Sequence, residues 1–413
     1  MDGRAAVIGA GITGLFTSLY LSLAGMDVTV YDRSDICSGT SGRFHGMLHS
    51  GARYAVNDPV SARECITENM RLRREAWRFI DDTGGYFVAL DGEDEEYGDS
   101  LRKACAEAGI EAQEMDPEEL LRREAYLSRE VRRALLVPDA VIHGFEFCAA
   151  VAMEARMAGV QFSLFNGVRR VASRDGSLEV ESEKGRDRYS VVVNTTGPYS
   201  MPILKASGIE DFPLAPTAGS MVVYGGRYVN SVINRMREPS DGDIVLPYGE
   251  VSVVGTIATV IEDPDNFKVH EEDVAMMLDE AKRMVPVIGA MQYKRIYSSV
   301  RPLIRSSDDP RKATRSFAII DHGTSGLPGF LSVLGGKFTT GRLVGYEAAR
   351  HASEYSGFHV KDVEFDFNTT YERFLSFRGG DRAVDSLLLH FGSTDQERLM
   401  PALAFLLSRR LMD

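Results

Sequence analysis

The stretch AAVIGAGITGLFTSLYLSLAGM (residues 5–26), followed at once by VTVYD, leaves this chain little freedom. An apolar strand runs directly into Gly9-x-Gly11-x-x-Gly14, then an apolar helix, then a second strand ending in Asp32. Gly9 allows the tight turn, Gly11 lets the backbone approach a pyrophosphate, and Gly14 lets helix and strand pack closely. The helix after Gly11 aims the positive end of its dipole at the phosphates, and Asp32 is placed to accept hydrogen bonds from a ribose. With strand, helix, strand and terminal acid in register, the motif specifies a dinucleotide-binding unit. The 22 uncharged residues from 5 to 26 also have the hydropathy of a membrane span. The internal glycines and the following strand assign them instead to a buried strand, a turn and a buried helix.

A chain of 413 residues is long for one domain and comfortable for two. Its 47 basic and 60 acidic residues give a net charge of −13, which argues against a general role on nucleic acid. Any anion must therefore be held by a local basic cluster. Cys37, Cys65, Cys105 and Cys148 are widely spaced without a C-x-x-C pair. Neither a metal centre nor a disulfide framework is expected, and a reducing, cytoplasmic location is the default.

Two later stretches bear on the cofactor. VVVNTTGPYS (191–200) is a buried strand whose turn can return the chain to the dinucleotide. LSVLGGKFTTGRLVG (331–345) reads as a strand, a Gly335-Gly336 turn and a helix beginning near Lys337–Thr339. A helix N-terminus there is suited to an anionic isoalloxazine ring, which favours FAD over NAD. There is no second G-x-G-x-x-G, so a built-in nicotinamide domain is not expected.

Between these stretches, Ser61 and Glu64 form a capping-box signature, with Ile66, Met70, Trp77 and Ile80 as the apolar face. The arginines at 71, 73, 74 and 78 read as a solvated face. Residues 99–127 read as helical and peripheral, and 149–159 as a further helix. From about 216 to 314 the pattern changes to strands with polar turns, interrupted by one helix. The expected fold is α/β: a Rossmann-like FAD-binding domain with an inserted antiparallel-sheet substrate domain and a short helical C-terminal tail. Its expected boundaries are 1–84, 141–215 and 315–358 for the FAD-binding domain, 85–140 and 216–314 for the substrate domain, and 359–413 for the tail. The amphipathic ALAFLLSRR in that tail leaves peripheral membrane contact open.

The most unusual segment is GRFHGMLHSGARY (42–54), with three glycines, two histidines, two arginines and a tyrosine in 13 positions. Together with GFEF, VVVNTTG, VINRMREPSDGDIVLP, VSVVGTIAT, SSVRPLIRSSDDP and LPGFLSVLGGKFTTGRL, in this order over roughly residues 4–350, it closely resembles the FAD-dependent glycerol-3-phosphate dehydrogenases. The likeness is nearest to the catalytic A subunit of the anaerobic enzyme, within the wider D-amino-acid-oxidase-like flavoproteins. The resemblance implies non-covalent FAD held by segments carrying Gly9, Gly11, Gly14, Asp32, Ser41, Gly42, His45, Val168, Gly197, Gly336, Lys337 and Thr339. It implies a substrate pocket of His49, Arg53, Tyr54, Thr256, Arg301 and Lys337, with His49, Arg301 and Lys337 as the catalytic group.

The residue chemistry accords with that implication. A phosphate dianion needs Arg or Lys, and Arg53 and Arg301 can each form paired, charge-assisted bonds to its oxygens. Hydride loss from C2 requires loss of the hydroxyl proton. His49 has a suitable ordinary pKa for this, with Arg301 or a water as alternatives, while His45 reads as part of the cofactor loop.

Three departures from the resemblance stand out. Ala218 replaces a lysine common among relatives, and His143-Gly144 replaces Asp-Pro. The cysteine-rich C-terminal domain of the anaerobic enzyme's A subunit is not matched, so an iron–sulfur route for electrons is not expected of this chain. Quinone, a partner protein and oxygen all remain as acceptors. A related flavin enzyme for a 2-hydroxy acid or amino acid is the alternative reading, because the same fold hosts those chemistries. A non-catalytic FAD-binding subunit is the third.

Overall fold

A computed structural model of the protein describes residues 3–305 and 316–370. Strand β1 (Arg4–Ile8) lies between β2 (Asp27–Tyr31) and strand Val191–Asn194, all parallel. The sheet continues past Val191–Asn194 to Phe330–Gly335, with the antiparallel Phe317–Asp321 at that edge and Gln161–Ser163 at the other. Parallel strands covered on both faces read as unbroken apolar runs, which is why Val191, Val192 and Val193 are buried.

Helix α1 (Ile12–Leu23) and helices Gly144–Met157 and Gly341–Ser353 pack together against the sheet, with Leu15, Phe16, Leu19, Phe147 and Val344 between them. Gly345 permits the close approach, since a Cβ there would overlap Phe16. On the opposite side Ile8, Tyr31 and Val192 meet Val171, Leu178 and Val180 of a small three-stranded sheet. The uncharged run near the N-terminus is thus one strand and one helix of 12 residues. Among the described residues no helix is long and apolar enough to cross a membrane.

The second layer is a mostly antiparallel sheet of nine strands. Near one edge the long strand Leu214–Tyr224 pairs with Tyr293–Ile304 on one side and Val251–Gly255 on the other. Helix Glu271–Met284 buries Val274, Met277, Ala281 and Met284 against Val222, Val245 and Val254 of this sheet. Residues 85–89 and 133–137 extend it, so two separated stretches of chain build one surface.

Several local expectations are corrected. The helix Pro59–Glu75 is capped by Asp58, whose carboxylate accepts from the Ser61 N–H at 3.1 Å. Glu64 instead accepts from the Ser316 hydroxyl. Pro59 fits the first helical position, where a missing N–H costs nothing. The helix ends before Trp77, and both Met70 and Trp77 are exposed. Its buried face carries Ala62, Cys65, Asn69 and Leu72, so polar partners rather than apolar spacing set the rotation. Arg71 and Arg73 are not a solvated fringe: Arg71 binds Glu75 and Asp362, and Arg73 binds Asn69 and two backbone carbonyls.

Residues 99–127 divide into the end of helix Gly92–Ala108, strand Gln113–Met115 and helix Pro117–Arg123. The helix expected from Lys337–Thr339 starts at Gly341. Of the tail, residues 359–366 are not helical, and ALAFLLSRR lies outside the described residues. Cys37 and Cys148 are joined as a disulfide across 111 residues, with Cα atoms 6.6 Å apart. Sequence spacing could not show this, because the fold lays the loop after β2 on helix Gly144–Met157. Cys65 and Cys105 are buried thiols.

Candidate functional site

A cleft of about 1390 Å³ runs between the two layers and is lined from both. This exceeds the usual 300–1,000 Å³ of a single small-ligand site and suits an extended cofactor with a substrate beyond it.

Its nucleotide end is built from backbone. Gly9 adopts φ +107°, and its N–H donates to the Tyr31 carbonyl at 2.7 Å. A Cβ at Gly14 would overlap the Gly9 carbonyl oxygen, so α1 can lie this close to β1 only with glycine there. Gly11 stands at the helix N-cap, and the next N–H, from Ile12, donates to the Ser41 hydroxyl at 3.0 Å. Asp32, at the end of β2, accepts from the N–H groups of Ala10 and Ser34, both at 2.8 Å. Burial raises its pKa, and those two N–H groups oppose the rise. At the cleft mouth Arg33 pairs through both nitrogens with Asp265, at 2.8 and 2.6 Å, and lies over the Tyr199 ring. The glycine cradle, the bare helix terminus and the adjacent carboxylate fit a dinucleotide diphosphate and its ribose.

The other end gathers titratable and cationic side chains. His45, His49, Arg53 and Tyr54 come from the glycine-rich segment, Thr256 and Arg301 from the nine-stranded sheet, and Lys337 from the Gly335-Gly336 turn. The His45 and His49 rings are 5.7 Å apart, and His49 lies 5.4 Å from Tyr54. Lys337 places its ammonium 5.0 Å from the Tyr54 ring centroid, a cation–π contact.

His45 is half-buried, and its Nδ1 accepts from the Met47 N–H at 3.1 Å, which puts the ring proton on Nε2. Burial, with Arg301 and Arg53 nearby, holds its pKa down at about 3. His45 is therefore a neutral donor and no base at Nε2. Arg301 donates to the Ile257 carbonyl at 2.7 Å, tying its guanidinium to the segment after Thr256. Beside the pocket, burial pushes the Cys65 thiol up to about 11 against the pull of Lys337.

Of the residues expected from sequence, Gly9, Gly11, Asp32, Ser41, His45, His49, Arg53, Tyr54, Val168, Gly197, Thr256, Arg301, Gly336 and Lys337 line this one cleft. Gly14, Gly42 and Thr339 stand behind the wall. Gly14 sets helix packing, and Gly42 closes on the Cys37 carbonyl. Thr339 accepts the His49 N–H at 3.0 Å, fixing the histidine backbone from the segment after the Gly335-Gly336 turn.

Two acids escaped sequence reasoning. Asp139 is buried and accepts the Ser50 N–H at 2.7 Å, anchoring the residue beside His49. Burial raises its pKa, and the Ser50 hydrogen bonds oppose this. Asp243 is wholly buried against Arg53 and Arg237. A lone acid in a polar turn carries no spacing signal, so nothing in the sequence marked either one.

A parallel sheet with a glycine cradle suited to a dinucleotide, joined to an antiparallel sheet that bears a cationic pocket, is the architecture of a dinucleotide-dependent oxidoreductase. The pattern of the family described as FAD dependent oxidoreductase matches residues 4–351, and the chain belongs to that family. Among curated proteins it is 34% identical over 372 residues to the A1 subunit of anaerobic glycerol-3-phosphate dehydrogenase from Haloferax volcanii, covering 85% of this chain and 63% of that protein. It is 35% identical over 350 residues to the A subunit of the anaerobic enzyme of Escherichia coli (strain K12), covering 82% and 64%. The chain thus spans under two thirds of the length of these relatives. Among solved structures, L-alpha-glycerophosphate oxidase from Mycoplasma pneumoniae, with FAD bound, superimposes with a TM-score of 0.72 at 18% identity. That match covers 88% of this chain and 97% of the oxidase.

Proposed function

We propose that this FAD-dependent oxidoreductase oxidises sn-glycerol 3-phosphate to dihydroxyacetone phosphate. The observation that carries the reading is the concentration of Arg53, Arg301 and Lys337 beside His45 and His49 at one end of the cleft, in a chain of net charge −13. A doubly charged phosphate is the natural complement of such a pocket. The relatives from the anaerobic dehydrogenases support the same substrate.

FAD, held by Gly9, Gly11, Asp32 and Ser41, supplies the two-electron acceptor for the C2 hydrogen. The rest is the work of the chain. Arg53 and Arg301 bind the phosphate and fix the direction of the glycerol. His49, fixed by Thr339 and Tyr54, takes the C2 hydroxyl proton. His45 stays neutral and donates from Nε2, so it adds no further positive charge beside Arg53, Arg301 and Lys337. Lys337 offers its ammonium to the oxygen at C2 as negative charge develops there.

The deciding experiment is anaerobic addition of sn-glycerol 3-phosphate to the purified yellow protein. Bleaching of the flavin band is expected. Bleaching by 2-hydroxy acids or amino acids instead would replace this substrate, and no bleaching by any of them would make the chain a non-catalytic flavoprotein. The electron acceptor is expected to be a quinone, a partner protein or oxygen, and reoxidation of the bleached protein by each separates them.

A further inference from the structure

Part of the pocket wall is formed by residues 238–241, which line the cleft without forming a strand or helix. Just behind them lies Asp243, whose side chain is 0% exposed. It serves four donors. Its Oδ1 accepts from Arg237 Nε and Nη2, at 3.0 and 2.6 Å. Its Oδ2 accepts from Arg53 Nη2 at 3.3 Å and from the Ser240 N–H. Arg53 Nη2 also donates to the Ser240 carbonyl at 3.1 Å, so the arginine is held to this turn by a side chain and by backbone together. The turn in turn reaches the opposite wall, where the Gly242 N–H donates to the Thr256 carbonyl at 3.3 Å.

Behind Asp243 the network continues from Arg237 through Glu280 to Arg235, which binds Asp91 and Asp94. Asp243 is therefore braced from the protein side and does not depend on Arg53 to stay in place. The guanidinium of Arg53 has one nitrogen, Nη2, fully engaged. The other, Nη1, is buried and has no hydrogen-bond partner among the described residues. A buried donor left unpaired is costly, and such a group calls for a partner the protein does not itself provide. Arg53 lines the cleft, and its orphan donor is the kind that a phosphate oxygen satisfies.

We propose that Asp243 is a positioning residue for substrate binding: through Arg53 Nη2 it fixes the guanidinium so that Nη1 is presented to the phosphate. The carboxylate touches neither substrate nor cofactor. It spares the arginine the loss of rotamer freedom that would otherwise accompany each binding event. This rests on the phosphate-substrate reading above.

The test is a double-mutant cycle between Asp243→Asn and Arg53→Ala on the FAD-loaded protein. It is read as KM and kcat for sn-glycerol 3-phosphate and, separately, as the Kd of inorganic phosphate by calorimetry. Asp243→Asn alone is expected to raise KM and the phosphate Kd about 10- to 100-fold, with kcat lowered less than about threefold. In the Arg53→Ala background the same change is expected to move both by less than about twofold, because the residue acts through Arg53. Equal effects in both backgrounds, or a fall in kcat with KM and phosphate Kd unchanged, would overturn the assignment.

If Asp243→Asn gives no folded flavoprotein, Arg237→Gln perturbs the same carboxylate from outside the cleft. It is expected to raise KM severalfold, again only when Arg53 is present, and an Arg53-independent effect overturns the proposal. A wild-type flavin that sn-glycerol 3-phosphate does not bleach sinks the substrate reading. The phosphate Kd cycle then decides the role of Asp243 alone.

Discussion

The two ends of the cleft are built by opposite means. At the nucleotide end the contacts are backbone: a glycine turn, a helix terminus and one carboxylate, most of it within the first 32 residues. At the substrate end they are charged side chains brought from residues 53, 301 and 337 and set by a buried ionic network. Backbone recognition depends on close approach, so it fails sterically when a single atom is added. Side-chain recognition depends on orientation, so it weakens by degrees and through neighbours.

The largest effect that sharpens this contrast is expected from Gly14→Ala. Its methyl group would overlap the Gly9 carbonyl and cost more than about 4 kcal/mol, in the range of severe core strain. The purified variant is expected to be colourless or insoluble, as read from the flavin-to-protein absorbance ratio. A stoichiometrically yellow variant would break the claim that the cradle is steric.

Reduction of Cys37–Cys148 comes next. This disulfide ties the loop after β2, which closes the nucleotide end, to a buried helix 111 residues away. Releasing a cross-link of that span typically costs about 2–4 kcal/mol. A lowered Tm and faster FAD loss in dithiothreitol are expected, and a Cys37→Ser/Cys148→Ser protein should behave like the reduced one. A Tm indifferent to reductant would remove the loop from the contrast.

Arg301→Ala acts on the other end. Loss of its charge-assisted bonds, about 2–3 kcal/mol, should raise KM roughly 30- to 150-fold while FAD stays bound. Unchanged kinetics would take Arg301 out of the site.

A separate, pH-dependent effect is expected at His45. Its folded pKa, about 3, lies below the ordinary 6.5, so the unfolded chain binds the extra proton first as pH falls. Its share of stability is intact above pH 6.5 and drains toward pH 3, at up to about 1.4 kcal/mol per pH unit. Urea midpoints from pH 6.5 to 4 should therefore fall more steeply for the wild type than for His45→Asn. Parallel curves would mean that His45 is not buried neutral.

The nucleotide end was legible because its determinants are local. Gly9, Gly11, Gly14 and Asp32 fall at fixed offsets around one strand–helix–strand unit, and the backbone geometry demands those residue types. The cationic pocket was legible as a set of residues through family resemblance, but its arrangement was not. Thr339, expected to touch the cofactor, also accepts the His49 N–H, a contact the sequence did not show. Ser61 and Glu64 looked like a cap, yet Asp58 and Pro59 cap that helix. Met70 and Trp77 looked like core and face outward, because the buried side of the helix serves Cys65 and Asn69.

By itself, then, the amino-acid order determined the dinucleotide fold, the alternation of parallel and antiparallel layers and the residue types at the pocket. The first two follow from local periodicity or from a backbone conformation that one residue type allows, and the third from the family resemblance. Tertiary structure alone decided that Cys37 meets Cys148, that His45 is neutral with its proton on Nε2, and that Asp243 holds Arg53. These depend on burial and on distances between segments far apart in the chain. Electrostatic energy is set by such distances and by exclusion of water, neither of which is written in sequence separation.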